Sequence, residues 1–505
     1  MLSIPRDIFR LRLFLLAFLG ALTILRLWYV QTLPLSEDEA NAWQWSRHLA
    51  LGYYDQGPLV AWVIRLGTWA WGHTEFGVRA PAVLLSLGLS LLLYDFCRRF
   101  FKDEDSGLWL VIAVNGTILF TGGAIIHTYD TSQCFFWMLA LYCCAAGIFE
   151  EKSAAWYGAG LAVGLAMLAK YTAVFFPIFL LAFLATNPRH RSWLLRPQPW
   201  FAALIAAAIF SLNIYWNATH FWTAFGHSAL LASPSWNFTT FEFLGGQIGL
   251  LGPIGFVLLI IGWVIAYREA RRGNDRFAYL LWLSLPVLLF FLIISVKGRA
   301  YANWPAPGYL AAVPVAVIAL RPKIKNSRSF RNWSLAALIS GYIFVAMILF
   351  HVPILKLLDL PADADPTQKL YGWPEMGQAI GEELQHWPSP AKPFVFSLRY
   401  QHASLAAFYT PGQPETEGLF LPDYRLNCYL FWSDPRRLRG RDGLAVVDGH
   451  PDLSLLFEDF HLLRTLELKG PAGRVINIVS LYFCQDFKGR DFRPERFLSV
   501  FTAAQ

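Results

Sequence analysis

Charge is what this 505-residue chain lacks most. Only 15% of its residues are Asp, Glu, Lys or Arg, while 56% are hydrophobic and 16% aromatic. A soluble protein carries about a quarter charged residues. The shortage excludes an ordinary soluble chain, and the long apolar runs that accompany it point to a polytopic membrane protein. Cysteine is scarce as well: there are six, too few for a disulfide scaffold. Cys97, Cys134, Cys143 and Cys144 fall in or beside apolar runs and read as small packing residues. For Cys428 and Cys484, near the C-terminus, a bridge and two buried thiols are both open readings. No Gly-rich phosphate loop occurs in the C-terminal part, so nothing there indicates a nucleotide site. No internal repeat of the kind that builds transporters is visible. His48, His73, His127, His220 and His227 have no spacing typical of metal ligands, and no histidine metal site is assigned.

Positive charge is present but localised. The net charge of +7 is no sign of nucleic-acid binding, because the excess cations fall in short segments between apolar runs. Those runs lie at about 11–30, 80–97, 107–126, 131–149, 154–169, 172–186, 200–216, 246–267, 277–296, 304–320 and 333–353, roughly eleven spans. The segments around residues 6–12, 98–102, 152, 189–196, 268–276 and 321–331 are basic. The segments 31–79, 127–130, near 170, 217–245 and 297–303 are poorer in cations and richer in aromatic and polar residues. The alternation predicts that the basic segments and the N-terminus are cytoplasmic and that the long loops and the C-terminal part are outside. The run 13–30 lacks a small-residue cleavage site and reads as a retained anchor.

The outer segments hold the chemistry. An acidic triplet, Glu37-Asp38-Glu39, follows the first apolar run directly, and carboxylates at a membrane boundary are costly unless solvated, paired or bound to a cation. The stretch 40–52 opposes Trp43, Trp45 and Leu49 to Asn41, Gln44, Arg47 and His48, which predicts a helix lying in the membrane interface. The loop 217–245, with Trp222, Trp236, Phe238 and Phe241, reads as a second interfacial element. Further polar groups gather at the same edge: Tyr54 and Asp55, Lys170 and Tyr171, Lys297 and Arg299, and Asn303, with Arg79 and Asp130 at helix ends. Carboxylates facing cations suit a substrate with an anionic phosphate and a hydroxyl nucleophile: cations hold the phosphate and a carboxylate takes the proton. Each group also has a purely structural reading. Lys170 can snorkel from a helix end, Lys297 and Arg299 can anchor at the interface, and Asp55 and Asp130 can cap a turn or helix.

After about residue 358 the composition changes. Residues 361–366 read as a linker, giving a membrane domain at 1–357, whose external loop 31–79 carries the acidic triplet, and a second domain at 358–505. Strand-like runs at 393–398, 443–447 and 474–483 mix with helix-like runs at 375–387 and 402–409, which predicts a small external α/β domain.

Taken in order, Asp38-Glu39-Ala40, Trp45-Ser-Arg-His-Leu-Ala-Leu-Gly-Tyr-Tyr-Asp55, Pro58-Leu-Val-Ala-Trp62 and Gly77-Val-Arg79-Ala-Pro81 resemble the first external loop of bacterial membrane glycosyltransferases. These are similar to the protein O-mannosyltransferases and the lipid A aminoarabinose (ArnT-like) transferases, with the C-type (GT-C) fold. Leu168-Ala-Lys170-Tyr171-Thr172, Trp216-Asn217-Ala-Thr-His220 and Lys297-Gly-Arg299 through Asn303-Trp-Pro-Ala306 match the same pattern, so the resemblance covers roughly residues 30–310. It departs at Gln56-Gly57-Pro58, where many relatives carry His-Pro-Pro or Glu-Lys-Pro-Pro; the aminoarabinose specificity does not carry over directly.

The resemblance implies a polyprenyl-phosphate-linked sugar donor and a lipid or glycan acceptor at the outer face of a bacterial inner membrane. It implies Asp38 as the catalytic carboxylate, with Glu39 beside it either as its support or as the group that orients the acceptor. Lys170, Arg79, Lys297 and Arg299 would hold the donor phosphate, and Tyr54, Asp55, Asp130, Tyr171, His220 and Asn303 would line the substrate site. The resemblance assigns no cofactor with certainty, and a divalent cation held by Asp38 is an open reading. Lipid A, lipopolysaccharide core and protein are all acceptors consistent with it. A transporter or flippase for a lipid-linked sugar is the alternative from another class, and it would place ionisable residues near the bilayer midplane rather than at one edge.

Overall fold

The structure, a computed structural model, describes residues 6–232, 238–358, 367–388, 391–422, 424–471, 473–490 and 492–493. Trp236 and the expected linker at 361–366 lie outside the described residues. The N-terminal part is a helical bundle. After α1 (Arg6–Tyr29), the first long loop folds into α2 (Glu37–Arg47) and α3 (Leu59–Trp71). Then follow α4 (Glu75–Phe96), α5 (Glu104–Asn115), α6 (Ile118–Ile125), α7 (Tyr129–Glu150), α8 (Ser153–Ala169), α9 (Phe175–Thr186) and α10 (Pro197–Thr219). The bundle is completed by α11 (Thr223–Ala232), α12 (Thr240–Leu251), α13 (Pro253–Arg271), α14 (Asp275–Trp282), α15 (Leu285–Lys297), α16 (Ala306–Asn326), α17 (Arg328–Leu349) and α18 (His351–Leu358).

The expected apolar runs are all largely helical, but the count of eleven spans is not reproduced. Among the described residues, seven stretches are long and apolar enough to cross a membrane, or eight if α5 and α6, bent by 70°, form one. The others fall short for physical reasons. Helix α8 has 17 residues, about 25 Å at 1.5 Å per residue, less than the ~30 Å of a hydrocarbon core. Helix α16 contains Pro314 and Pro322 and ends in Lys323 and Lys325. Small residues let the short α8 sit deep between its neighbours. A Cβ added at Gly160 would meet the Ala202 carbonyl oxygen of α10 at 2.4 Å, and one at Gly147 of α7 would meet the Trp156 indole at 2.6 Å.

The two ends of the bundle differ in chemistry. At one end the basic segments are tied by ion pairs: Arg12 to Glu104 at 2.7 Å, Arg189 to Asp275 at 3.1 Å, Arg99 to Glu150, and Arg321 to Asp105. At the other end the cation-poor segments rich in aromatic and polar residues converge, and the C-terminal domain sits over them.

That domain is built on five strands, β1 (Phe394–Ser397), β2 (Thr416–Gly418), β3 (Gly443–Asp448), β4 (Phe457–Lys469) and β5 (Val475–Phe487), in the order β2-β1-β3-β5-β4. Strand β1 runs parallel to β2 and β3, whereas β3 and β4 both pair antiparallel with β5. Helices α19 (Trp373–Gln385), α20 (Tyr400–Tyr409), α21 (Tyr429–Trp432) and α22 (Pro435–Leu438) accompany the sheet. Strands β2 and β4 have no counterpart among the sequence expectations. The first is only three residues long, and most side chains of the second are exposed, so no apolar alternation marks it. Cys428 and Cys484 are free, buried thiols.

Helix α2 corrects one expectation. Its aromatic face is covered by protein rather than left open to lipid: Glu39 through Ser46 are all buried. Trp43 and Trp45 share a core with Val60 of α3, with Met376 and Ile380 of α19 and with Leu405 of α20. Trp43 packs edge-on against Phe408 at 4.9 Å and donates its indole N–H to His73 Nδ1 at 2.9 Å. The aromatic face that looked interfacial is the seam between bundle and C-terminal domain.

Gly160→Val is expected to force α8 and α10 apart and destabilise the protein by about 1–3 kcal/mol. The check is the thermal unfolding midpoint of the detergent-solubilised protein; an unchanged midpoint would contradict the close helix approach.

Candidate active site

The acidic triplet is positioned by a cap. Ser36 is the N-cap of α2, with its hydroxyl accepting from the Glu39 backbone N–H, while the Glu39 carboxylate accepts from the Ser36 backbone N–H at 3.0 Å. This is a reciprocal capping box. Glu39 continues inward to Arg79 of α4, whose Nε and Nη2 donate to its two oxygens at 2.7 and 2.6 Å. The rest of the Arg79 guanidinium donates to the carbonyls of Val30 at 3.1 Å, Leu33 at 2.6 Å and Pro34 at 2.8 Å. The Glu39 carboxylate also accepts from the His127 backbone N–H at 2.9 Å. Burial would push the Glu39 carboxyl up, but the charge and hydrogen bonds of Arg79 outweigh it and hold it below the usual range.

This pair therefore corrects two expectations. A guanidinium has five N–H donors, and all five of Arg79 are occupied by protein oxygens. It has none for a donor phosphate. Glu39 is fully buried and cannot touch an acceptor, which leaves it the supporting role alone. Both residues build the loop instead.

Asp38, one residue earlier, faces the other way. It lines a cavity of about 770 Å³ between the C-terminal domain and the end of the bundle opposite the basic ion pairs. Asp55, Lys170, Tyr171 and Asn303, all expected at the site, line the same cavity, and Tyr400 and Arg425 of the C-terminal domain close it. Its other wall is apolar, with Phe175, Phe290, Phe291, Ile294 and Trp304. No hydrogen bond from a described residue reaches the Asp38 carboxylate. Burial raises its pKa above the ordinary carboxylate value, the negative charges of Asp55 and Glu39 add to the rise, and Arg425 opposes it.

Lys170 is held where α8 ends. Its backbone is extended, with φ −155° and ψ 135°, and a short 3₁₀ turn, Tyr171–Val174, follows. Its ammonium donates to Asp130 Oδ1 at 2.6 Å and lies 5.1 Å from the centre of the Tyr129 ring. Asn303 donates to the other Asp130 oxygen at 2.8 Å. Asp130 is thus behind the cavity wall and orients two residues that line it. Gly57 explains the departure at Gln56-Gly57-Pro58: a Cβ there would lie 2.1 Å from the Leu168 carbonyl oxygen, so only glycine lets the Asp55 loop settle against the end of α8 beside Lys170.

Asp55 accepts from Arg425 Nη2 at 3.1 Å and lies 3.5 Å from His227 Nε2. The His227 pKa is lowered by burial, with Asp55 opposing and Arg425 reinforcing the effect. Arg425 also reaches the Tyr400 hydroxyl at 3.5 Å and sits 5.4 Å over that ring. Sequence reasoning missed Arg425 and Tyr400. Neither belongs to a motif, and only the docking of the C-terminal domain brings them to the cavity.

Other expected residues lie elsewhere. Tyr54 is beside the cavity, its backbone N–H on Cys428 Sγ at 3.2 Å and its ring 5.8 Å from that of His227. His220 is stacked on Trp216 at 4.2 Å and meets Phe431 edge-on, so it belongs to the domain seam rather than to the cavity. Lys297 and Arg299 are exposed beyond the cavity at the end of α15; Arg299 lies 3.9 Å from Glu242 and over the Tyr301 ring at 4.9 Å. Among the described residues no three His, Cys, Asp or Glu side chains converge as a metal-binding group.

The sequence model of the dolichyl-phosphate-mannose-protein mannosyltransferase family matches residues 55–216. The lipid A galacturonosyltransferase RgtD of Rhizobium johnstonii is 32% identical over 296 residues, 55% of this chain and 59% of that protein. The undecaprenyl phosphate-alpha-4-amino-4-deoxy-L-arabinose arabinosyl transferase 2 of Proteus mirabilis is 22% identical over 66% of this chain and 60% of its own. The match thus spans about three-fifths of the length of these curated relatives. Among solved structures, ArnT from Cupriavidus metallidurans superimposes with a TM-score of 0.64 in the apo state and 0.62 when bound to undecaprenyl phosphate, at 15% identity. These superpositions cover 92% of this chain and 97% of that one, and they establish the fold.

Glu39→Gln leaves Arg79 as a buried, uncompensated charge and is expected to destabilise the protein by about 3–5 kcal/mol. The additional change Arg79→Met should recover part of the loss, because the two residues act as one unit. Thermal unfolding of the single and double variants checks both; additive losses would refute the coupling.

Proposed function

We propose that this chain, which belongs to the ArnT-like superfamily of C-type (GT-C) membrane glycosyltransferases, moves a sugar from a polyprenyl-phosphate donor to lipid A or a related envelope acceptor. The observation that carries the reading is the cavity itself. Its polar wall holds two carboxylates and two cations, and its apolar wall continues into the helices of the bundle. Such a cavity accepts the phosphate-sugar head of a lipid while its hydrocarbon chain stays among the helices.

In this reading the Lys170 ammonium leaves Asp130 in part and takes the bridging phosphate. Asp130 and Asn303 keep the lysine aimed, because the 2.6 Å and 2.8 Å bonds restrict where it can swing. For a hydroxyl acceptor, Asp38 takes the proton. The acceptor oxygen attacks the anomeric carbon, the bond from that carbon to the phosphate oxygen breaks with inversion, and polyprenyl phosphate departs with its charge balanced by Lys170. For an acceptor that is itself a phosphate no base is needed, and Asp38 orients it. Asp55, Arg425 and Tyr400 form the acceptor side of the cavity, with Arg425 available to an anionic group. Every charged group named here lies at the outer edge of the bundle, which favours transfer over transport.

The test is transfer in membranes of cells lacking and expressing the protein, read by mass spectrometry of lipid A, lipopolysaccharide core and envelope glycans. Wild type should add a single sugar mass to one of these. Lys170→Met is expected to lower the rate by about 10²–10³. Asp38→Asn should lower it by about 10²–10⁴ for a hydroxyl acceptor. No increment on any envelope species from a folded, inserted protein would overturn the reading; full activity of Asp38→Asn on a hydroxyl acceptor would overturn the base. Because the raised pKa of Asp38 means that its basic form is lost earlier as pH falls, the acid limb of kcat/KM should lie above the ordinary carboxylate range. In Asp38→Asn that limb should disappear.

A further inference from the structure

At the end of the bundle opposite the candidate site, α5, α13, α16 and α17 enclose a second cavity of about 490 Å³. The break between α5 and α6 makes the space. Thr117 restarts the chain as an N-cap after Gly116, and the 70° bend carries α6 away from the axis of α5. The walls are almost entirely apolar, including Trp109, Ala113, Leu258 and Leu338. The mouth is not: Arg321, Lys325 and Arg331 line it together. Among the described residues the lining holds no carboxylate; Asp105 faces it from outside and pairs with Arg321. Lys325 and Arg331 are exposed at the rim. Two buried polar atoms on the lining, Arg321 Nε and Ser334 Oγ, have no hydrogen-bond partner among the described residues.

We propose that this groove is a binding site for an anionic diacyl phospholipid, its headgroup phosphate held by Arg321, Lys325 and Arg331 and an acyl chain lying along α16. Three features select that occupant. The cations outnumber the single facing carboxylate, so the mouth favours an anionic headgroup over a neutral one. Arg321 Nε and Ser334 Oγ add donors of the kind a phosphate oxygen accepts, at the junction of headgroup and chain. The lining on α16 runs from Val313 to Lys325, about 18 Å at 1.5 Å per residue. That is close to half of a ~30 Å hydrocarbon core, the depth of one leaflet, and it fits an ordinary acyl chain better than a long polyprenyl one. The site is separate from the cavity at Asp38 and does not rest on the proposed reaction.

The experiment is native mass spectrometry of the delipidated full chain, titrated with dioleoyl-phosphatidylglycerol or dioleoyl-phosphatidylethanolamine. Wild type is expected to retain the anionic lipid in preference to the zwitterionic one. Replacing both exposed cations, Lys325→Gln with Arg331→Gln, should weaken phosphatidylglycerol retention on the order of thirtyfold and leave phosphatidylethanolamine unchanged. A second variant, Ala113→Phe, fills the groove without touching the cations and should abolish the preference. Equal retention of both lipids by wild type, or wild-type phosphatidylglycerol retention in either variant, would overturn the proposal. Should the charge variant fail to fold, Ala113→Phe decides alone.

Discussion

The buried pair of Glu39 and Arg79 is the contact on which the rest of the site depends. Two charges out of water are tolerable only when every polar atom is matched, and here the match is complete on the guanidinium. Arg79 reaches back to carbonyls of the segment between α1 and α2, Glu39 closes the cap of α2, and the His127 backbone joins them from just before α7. Three pieces of chain distant in sequence are thereby fixed to one point. Asp38 inherits its position from this arrangement: the turn of α2 that buries Glu39 turns its neighbour toward the cavity. Within the acidic triplet, Glu39 is thus a structural carboxylate while Asp38 lines the cavity.

The second constraint is the seam between bundle and C-terminal domain. Helix α2 is buried from Glu39 through Ser46 because it serves both, and Trp43, Trp45 and Phe408 pack there with Ile380 and Leu405. The same docking brings Arg425 and Tyr400 to Asp55. The domain is therefore part of the cavity wall rather than an appendage. Its Arg425 balances one of the two carboxylates there, which leaves Lys170, tied to Asp130, as the cation on the opposite side. Opposite charges across a partly desolvated space suit a substrate that carries a negative phosphate and a hydroxyl in one reaction.

Much of this was legible in the amino-acid order. The low charge content and the alternation of basic and aromatic segments determined a polytopic bundle with two chemically different ends. The ion pairs of one end and the convergence of Asp38, Asp55, Lys170 and Asn303 at the other follow that alternation. Local signals with short range also held, such as the helices at 375–387 and 402–409 and three of the five strands, because periodicity needs only neighbouring residues.

Tertiary structure alone decided the rest. Arg79 and Lys170 are both cations at helix ends, and nothing in their local sequence says that one is saturated by five protein oxygens while the other lines a cavity. The difference arises from which carbonyls the folded loop presents. Helix α2 has the amphipathic pattern of an interfacial helix, yet burial comes from a domain more than three hundred residues away, where the Tyr409 hydroxyl accepts the Leu35 backbone N–H at 2.6 Å. His220 and Arg299 matched a motif without reaching the cavity, and Arg425 and Tyr400 reached it without a motif. A sequence records which groups are available; long-range packing determines which of them face one another.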